Sequence, residues 1–159
     1  DYAHQRDVVH RDLSLRNILV SERGTPKLID FGLAKTLNNL DETMAARTVQ
    51  GVALGTPLYA SPEAARGLVG QIDHRSDLYS LATILYVLLL RKHPKKIERG
   101  NDMKVPMASV NGEVRPPRQF DPTFDIGLEA VLLRALQSDP AHRQQTVGEL
   151  VDELRLYAG

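Results

Sequence analysis

The stretch from Ser76 to Arg91 constrains this chain more than any other. Leu81, Ile84, Leu85 and Leu88 recur at the i, i+3, i+4, i+7 spacing of a helix. Leu78, Ala82, Tyr86, Val87 and Leu89 make the other faces apolar as well. A helix that is apolar on every side belongs in the centre of a core. The run Leu81–Leu90 is interrupted by Thr83 and falls short of the roughly 20 residues a bilayer span needs. Arg91 and Lys92 suit a helix C-terminus, and Pro94 stops the helix. The chain is therefore expected to wrap around this segment.

Around it, the pattern predicts a mainly α fold with one small β-hairpin. Ile18-Leu19-Val20 and Lys27-Leu28-Ile29 are short strand-like runs separated by Ser21 to Pro26, which is rich in turn formers. Residues 31 to 60 carry few periodic apolar positions, and a loop that long is usually functional. Leu128, Val131, Leu132 and Ala135 mark a second helix that ends near Ser138-Asp139-Pro140. Thr146 and Glu149 form a capping-box pattern ahead of a last helix with Val147, Leu150, Val151 and Leu154 on one face. Tyr2-Ala3-His4 reads as the tail of a helix already under way.

Composition excludes several functions. With 20 Lys+Arg against 20 Asp+Glu, the formal net charge is zero, which argues against a nucleic-acid partner. No Cys is present, so thiolate zinc, disulfides and cysteine nucleophiles drop out. The five His show no zinc-ligand spacing. No targeting tract or membrane segment occurs in this window, and a cytoplasmic location is expected.

Two constellations carry chemistry. His10-Arg11-Asp12-Leu13 is followed by Asn17, five residues beyond Asp12. A carboxylate such as Asp12 can orient a hydroxyl and accept its proton. An amide oxygen at Asn17 can ligate a hard cation such as Mg2+. Asp30-Phe31-Gly32 follows the hairpin, where a second carboxylate can hold the same metal and Gly32 permits a sharp turn.

These stretches resemble a known family. Val9 to Leu19 is similar to the catalytic loop of protein kinases, and Asp30 to Lys35 resembles the metal-binding motif that follows it. Gly55-Thr56-Pro57-Leu58-Tyr59-Ala60-Ser61-Pro62-Glu63 resembles the end of the activation segment, with Ser61 in place of the usual Ala. Ser76 to Leu81 resembles the start of the central helix, and Asp139 to Arg143 the stretch before the last helix. The motifs come in family order and are most similar to those of bacterial serine/threonine kinases.

The resemblance implies roles. Asp12 orients and deprotonates the acceptor hydroxyl; Asn17 and Asp30 hold Mg2+ on the phosphates of ATP. The implied protein substrate offers a Ser or Thr hydroxyl. Glu63 and Arg143 are expected as a buried ion pair, Asp77 as an anchor for the catalytic-loop backbone, and His10 with Phe31 in a hydrophobic stack. Arg11 is expected to receive a phosphate placed on the activation loop, with Thr48 and then Thr43 as candidate carriers unless they are ordinary loop residues. Thr56 is expected to serve as a structural hydroxyl near Asp12.

The chain also departs from the family. Ser14 stands where serine/threonine kinases carry Lys, and Arg16 is a candidate replacement in the manner of tyrosine kinases. Lys95 stands where an aromatic residue often follows His93-Pro94, and the basic run Arg91 to Lys96 reads as a solvated loop rather than a docking patch. No glycine-rich phosphate loop occurs and no strand carries a matching lysine.

The expected architecture is thus the large C-terminal lobe alone. The catalytic loop spans 8–20, the metal motif and activation segment 30–63, and the helical remainder 64–159. The small N-terminal lobe is an expected partner from the same chain, and apolar surface should be exposed at the N-terminal edge. The alternatives are a pseudokinase or scaffold, against which Asp12, Asn17 and Asp30 argue, and a small-molecule phosphotransferase, against which residues 55 to 63 argue.

Overall fold

A computed structural model of the chain describes residues 2–31, 57–96 and 113–157. Gly32, Thr43, Thr48 and Thr56 lie outside these residues. The described part is mostly helical with one two-stranded antiparallel sheet.

Strand β1 (Ile18–Val20) pairs with β2 (Pro26–Leu28) in the register Ile18 to Leu28, Leu19 to Lys27 and Val20 to Pro26. The turn between them closes on Ser21, whose hydroxyl accepts from Thr25 N–H at 3.1 Å and whose carbonyl accepts from Gly24 N–H at 2.8 Å. Gly24 has φ 76°, a conformation glycine adopts without steric cost. The second strand lies one residue earlier than its apolar run suggests. Ile29 N–H turns instead to the Asn17 carbonyl, 3.0 Å away, which ties the hairpin to the preceding loop.

Helix α1 (Pro62–Ala65) begins at Ser61, whose hydroxyl accepts from Ala64 N–H, with Pro62 supplying a pre-set φ at the first position. Helix α2 (His74–Leu90) is the long central element. Its cap is Asp73, which accepts from Arg75 N–H at 2.8 Å. The buried stripe of α2 is Leu78, Tyr79, Ala82, Ile84 and Tyr86. This corrects the expectation of burial on every side: Leu88 is 60% exposed and Leu89 51%, so the last turn is not enclosed. Both Ala82 and Tyr86 belong to the core, the small side chain leaving room for a neighbouring helix and the ring filling volume.

Helix α3 (Ile126–Ala135) is capped by Asp125, which accepts from the N–H groups of Gly127 and Leu128. Helix α4 (Val147–Arg155) is capped by Thr146, which accepts from Glu149 N–H at 3.0 Å. The reciprocal half of the capping box is displaced: the Glu149 carboxylate accepts from Gln145 N–H at 2.7 Å rather than from Thr146. Leu78, Tyr79, Ala82 and Tyr86 of α2 pack with Val131, Ala135 and Leu136 and with Leu150 of α4 in one cluster. Tyr2, Val8, Leu19, Val20 and Leu28 are exposed apolar residues at the opposite end of the molecule's sequence. Among the described residues, no helix is long and apolar enough to cross a membrane.

Candidate functional site

The loop from His10 to Asn17 is hung on α2. Asp77, in the first turn of that helix and buried, accepts from His10 N–H at 2.8 Å and from Arg11 N–H at 2.9 Å. The His4 ring nitrogen Nε2 reaches the same carboxylate at 2.8 Å. One side chain therefore fixes two consecutive amides of the loop, and a carboxylate near a helix N-terminus is itself favoured there. Arg11 has φ 65°, a left-handed conformation that a non-glycine residue adopts only when its surroundings hold it.

His10 is buried and used at both ring nitrogens. Nε2–H donates to the Ile29 carbonyl at 3.0 Å, and Nδ1 accepts from Asp12 N–H at 3.3 Å. Its ring packs against Phe31, centroids 4.8 Å apart. Beneath this contact lies a largely apolar cavity of about 150 Å³, lined in part by Leu13, Ile18, Leu28, Phe31 and Leu78.

Asn17 Nδ2 donates to the Asp12 carbonyl at 2.7 Å. That bond settles which end of the amide faces the loop and leaves Oδ1 to accept from elsewhere. Through Ile29, the Asn17 backbone is also joined to the residue before Asp30. Asp30 has φ 55° and an exposed side chain. The carboxylates of Asp12 and Asp30 accept no hydrogen bond from the described residues. The Asp30 carboxylate, unpaired among the described residues, and the oriented Asn17 amide oxygen are hard oxygen donors of the kind Mg2+ takes, with phosphate and water completing the shell. The residues present therefore fit the ion.

Ser14 is buried, so the position that carries Lys in related kinases faces inward here. Arg16, on the short 3-10 turn Leu15–Asn17, is exposed. Its charge is felt at Tyr59, where burial raises the phenol's pKa and Arg16 opposes that rise. The turn Pro57–Tyr59 thus lies within electrostatic reach of the loop that bears Asp12.

Glu63 and Arg143 meet in the interior as a two-pronged pair, Nη1 to Oε1 and Nη2 to Oε2 both at 2.8 Å. Ser76 Oγ–H adds a bond to Oε1 at 2.6 Å. Burial alone would raise the Glu63 pKa, but the bonds from Arg143 and Ser76 outweigh it and hold the carboxyl below its ordinary value. Arg143 spends every N–H it has, the rest going to the carbonyls of Arg75, Gln137 and Ser138. It also faces the Tyr79 ring, 5.0 Å from the centroid.

Several participants were given no such part by the sequence. Lys95 is 1% exposed, which corrects its assignment to a solvated loop; its amine faces the Tyr79 ring at 5.6 Å. Ser76 and His93 also enter polar networks that span dozens of residues. The only available signal was Lys95 at a position where related kinases often place an aromatic ring, since such a position is normally inside.

Comparison with known proteins places the chain. The protein kinase domain family matches it over residues 1–153. It is 36% identical to the tyrosine-protein kinase MasK of Myxococcus xanthus over 95% of this chain and 22% of that protein. It is 34% identical to the serine/threonine-protein kinase PknB of Mycobacterium leprae over 100% of this chain and 24% of that protein. It is 38% identical to the serine/threonine-protein kinase pkn3 of Myxococcus xanthus over 96% of this chain and 28% of that protein. The chain belongs to the protein kinase domain family. It spans between a fifth and a third of the length of these relatives.

Proposed function

We propose that this chain is the large-lobe part of a protein kinase that moves the γ-phosphoryl group of ATP to Ser or Thr hydroxyls of a protein substrate. The observation that carries the reading is the Asp77-anchored loop, which presents an Asp12 carboxylate unpaired among the described residues beside an amide oriented by the Asp12 carbonyl. A scaffold has no use for that combination. In this reading Asp12 aligns the acceptor hydroxyl and takes its proton as the oxygen bonds to the γ-phosphorus and ADP departs. Asn17 and Asp30 would hold Mg2+, which would supply charge neutralisation on the phosphates. Arg16, exposed where Ser14 is buried, is placed to offset charge on the transferring group. Arg11 receives the phosphate of a modified Thr48 or Thr43.

Relatives named as serine/threonine kinases, together with Gly55-Thr56-Pro57, support a Ser or Thr acceptor. The test is Asp12→Asn in the intact protein, with phosphate transfer followed by mass spectrometry and ATP binding by calorimetry. Transfer should fall by roughly 10²–10⁴-fold while ATP affinity is retained. Undiminished transfer would sink the assignment, and phosphate found only on Tyr would overturn the acceptor class.

A further inference from the structure

The basic run Arg91 to Lys96 is not the loose loop its composition suggests. Pro94 and Lys95 are buried, while Arg91, Lys92 and Lys96 are exposed. Arg115 straps the run from a later part of the chain. Its Nη2 donates to the carbonyls of His93 at 2.6 Å and Lys95 at 3.1 Å, and its backbone N–H donates to Pro94 O at 2.8 Å. Tyr86, buried in α2, donates its hydroxyl proton to Arg115 O at 2.6 Å. His93 Nδ1 accepts from Lys95 N–H at 3.1 Å, and Nε2–H donates to the Leu58 carbonyl at 2.6 Å. The exposed cations are therefore carried on backbone that is tied to the core.

The charge of this loop is unbalanced. Arg75, Arg134, Arg143 and Arg155 each pair with a carboxylate. Among the described residues, Arg91, Lys92, Lys96 and Arg115 pair with none. Burial lowers the His93 pKa, and the cations of Lys95 and Arg115 push the same way, against the bonds to Leu58 and Lys95. No carboxylate is among these largest influences. The Arg115 guanidinium lies over the Phe120 ring, 4.7 Å from its centroid, and its Nε is enclosed with no acceptor among the described residues. A desolvated cationic donor without an acceptor is costly, and an anion beside it lowers that cost. The chain as a whole is neutral, so its acids compensate other places and leave this loop positive.

We propose that the face made by Arg91, Lys92, Lys96 and Arg115 docks a short acidic stretch of a partner protein, in which two or more Asp or Glu side chains supply the missing counter-charge. None of these cations bonds to Asp12, Asn17 or Asp30 among the described residues, so the docking face is independent of the kinase reading. Charge complementarity selects the occupant. Because the cations sit on fixed backbone, a peptide meets them without the cost of ordering the loop. The exposed Glu113, two residues before Arg115, keeps the positive face small. That extent suits a peptide rather than a nucleic-acid backbone or an anionic membrane, both of which draw on cations spread over a wider surface.

The test titrates a fluorescein-labelled hexaglutamate peptide with the intact protein and follows fluorescence anisotropy. Lys92→Glu/Lys96→Glu reverses two exposed charges of the face. Arg23→Glu/Lys27→Glu makes the same change of net charge on the exposed hairpin. The first variant should bind the peptide at least about 10-fold more weakly than wild type, and the second should stay within about 2-fold of it. A zero-length carbodiimide cross-link, located by mass spectrometry, needs no variant and should join the peptide to Lys92 or Lys96. Equal weakening in both variants shows attraction to net charge alone and overturns the proposal, as does cross-linking dominated by Lys27. A wild-type protein that ignores the peptide but binds vesicles containing phosphatidylserine overturns the choice of a protein partner. One that binds neither overturns the face as a docking site.

Discussion

Lys95 shows what one buried charge does to the energetics of the molecule. Burial pushes its amine down to about 8, and the nearby cations Arg66 and Arg143 push the same way. The Tyr79 ring offers its negative face in partial return. In the unfolded chain the amine keeps its proton to about 10.4. Between these values the unfolded state binds more protons, so stability rises with pH; below about 8 both states are charged and that gain is absent. We predict that the stability of wild type relative to Lys95→Met climbs by roughly 1 kcal/mol per pH unit from pH 8 to pH 10. Urea titrations of both proteins across that window measure it, and a pH-independent difference would refute it. The window stops at 10 because the Tyr86 phenol, which burial pushes up to about 12, titrates differently in the two states above that.

At the scale of elements, local signals were the readable ones. The hairpin, the second helix and the Thr146 cap follow from turn formers, apolar spacing and a hydroxyl at the right place. The extent of burial along α2 did not follow, because apolar residues occupy every face of the helix through its last turn. Only the partners packed against the helix decide where that burial ends. In the candidate site, motif order singled out Asp12, Asn17 and Asp30, and it anticipated the anchoring contacts of Asp77 and the pairing of Glu63 with Arg143. The reach of His93 to Leu58 across 35 positions was not, since a lone histidine carries no mark of its distant partner. The end of α2 yields a further prediction. Arg91 closes the helix with φ 52° and its N–H on the Val87 carbonyl at 2.8 Å. A left-handed Arg costs about 1–2 kcal/mol, and glycine removes that cost while losing about 0.5–1 kcal/mol of chain entropy. Arg91→Gly should therefore stabilise the protein by roughly 0.5–1 kcal/mol in denaturant titrations. A loss would show that the Arg91 cation at the helix C-terminus outweighs the strain.

At the scale of the whole molecule, one ion pair joins parts of the chain that no local interaction could bring together. Glu63 and Arg143 are 80 positions apart, and between them they also bind Ser76 and the Arg75 carbonyl of α2 and the backbone of Gln137 and Ser138. Helix α1, the central helix and the segment between α3 and α4 thus converge on two side chains. Removing either one strands the other charge in the interior, so Glu63→Ala or Arg143→Ala should cost roughly 3–5 kcal/mol. Replacing both with Met removes the stranded charge, so the double variant should be less destabilised than the sum of the singles. Acid gives an independent check. The Glu63 pKa is lowered in the folded state, so its contribution is complete above the ordinary Glu value and is lost as pH falls through the folded one. Stability should decline on acidification below about pH 4.5 in wild type, and this component should be missing from Glu63→Gln. Denaturant midpoints at pH 7 and at stepwise lower pH measure both effects. If Arg143→Ala costs under about 1 kcal/mol, the value of an exposed pair, the convergence of the three segments does not depend on this contact.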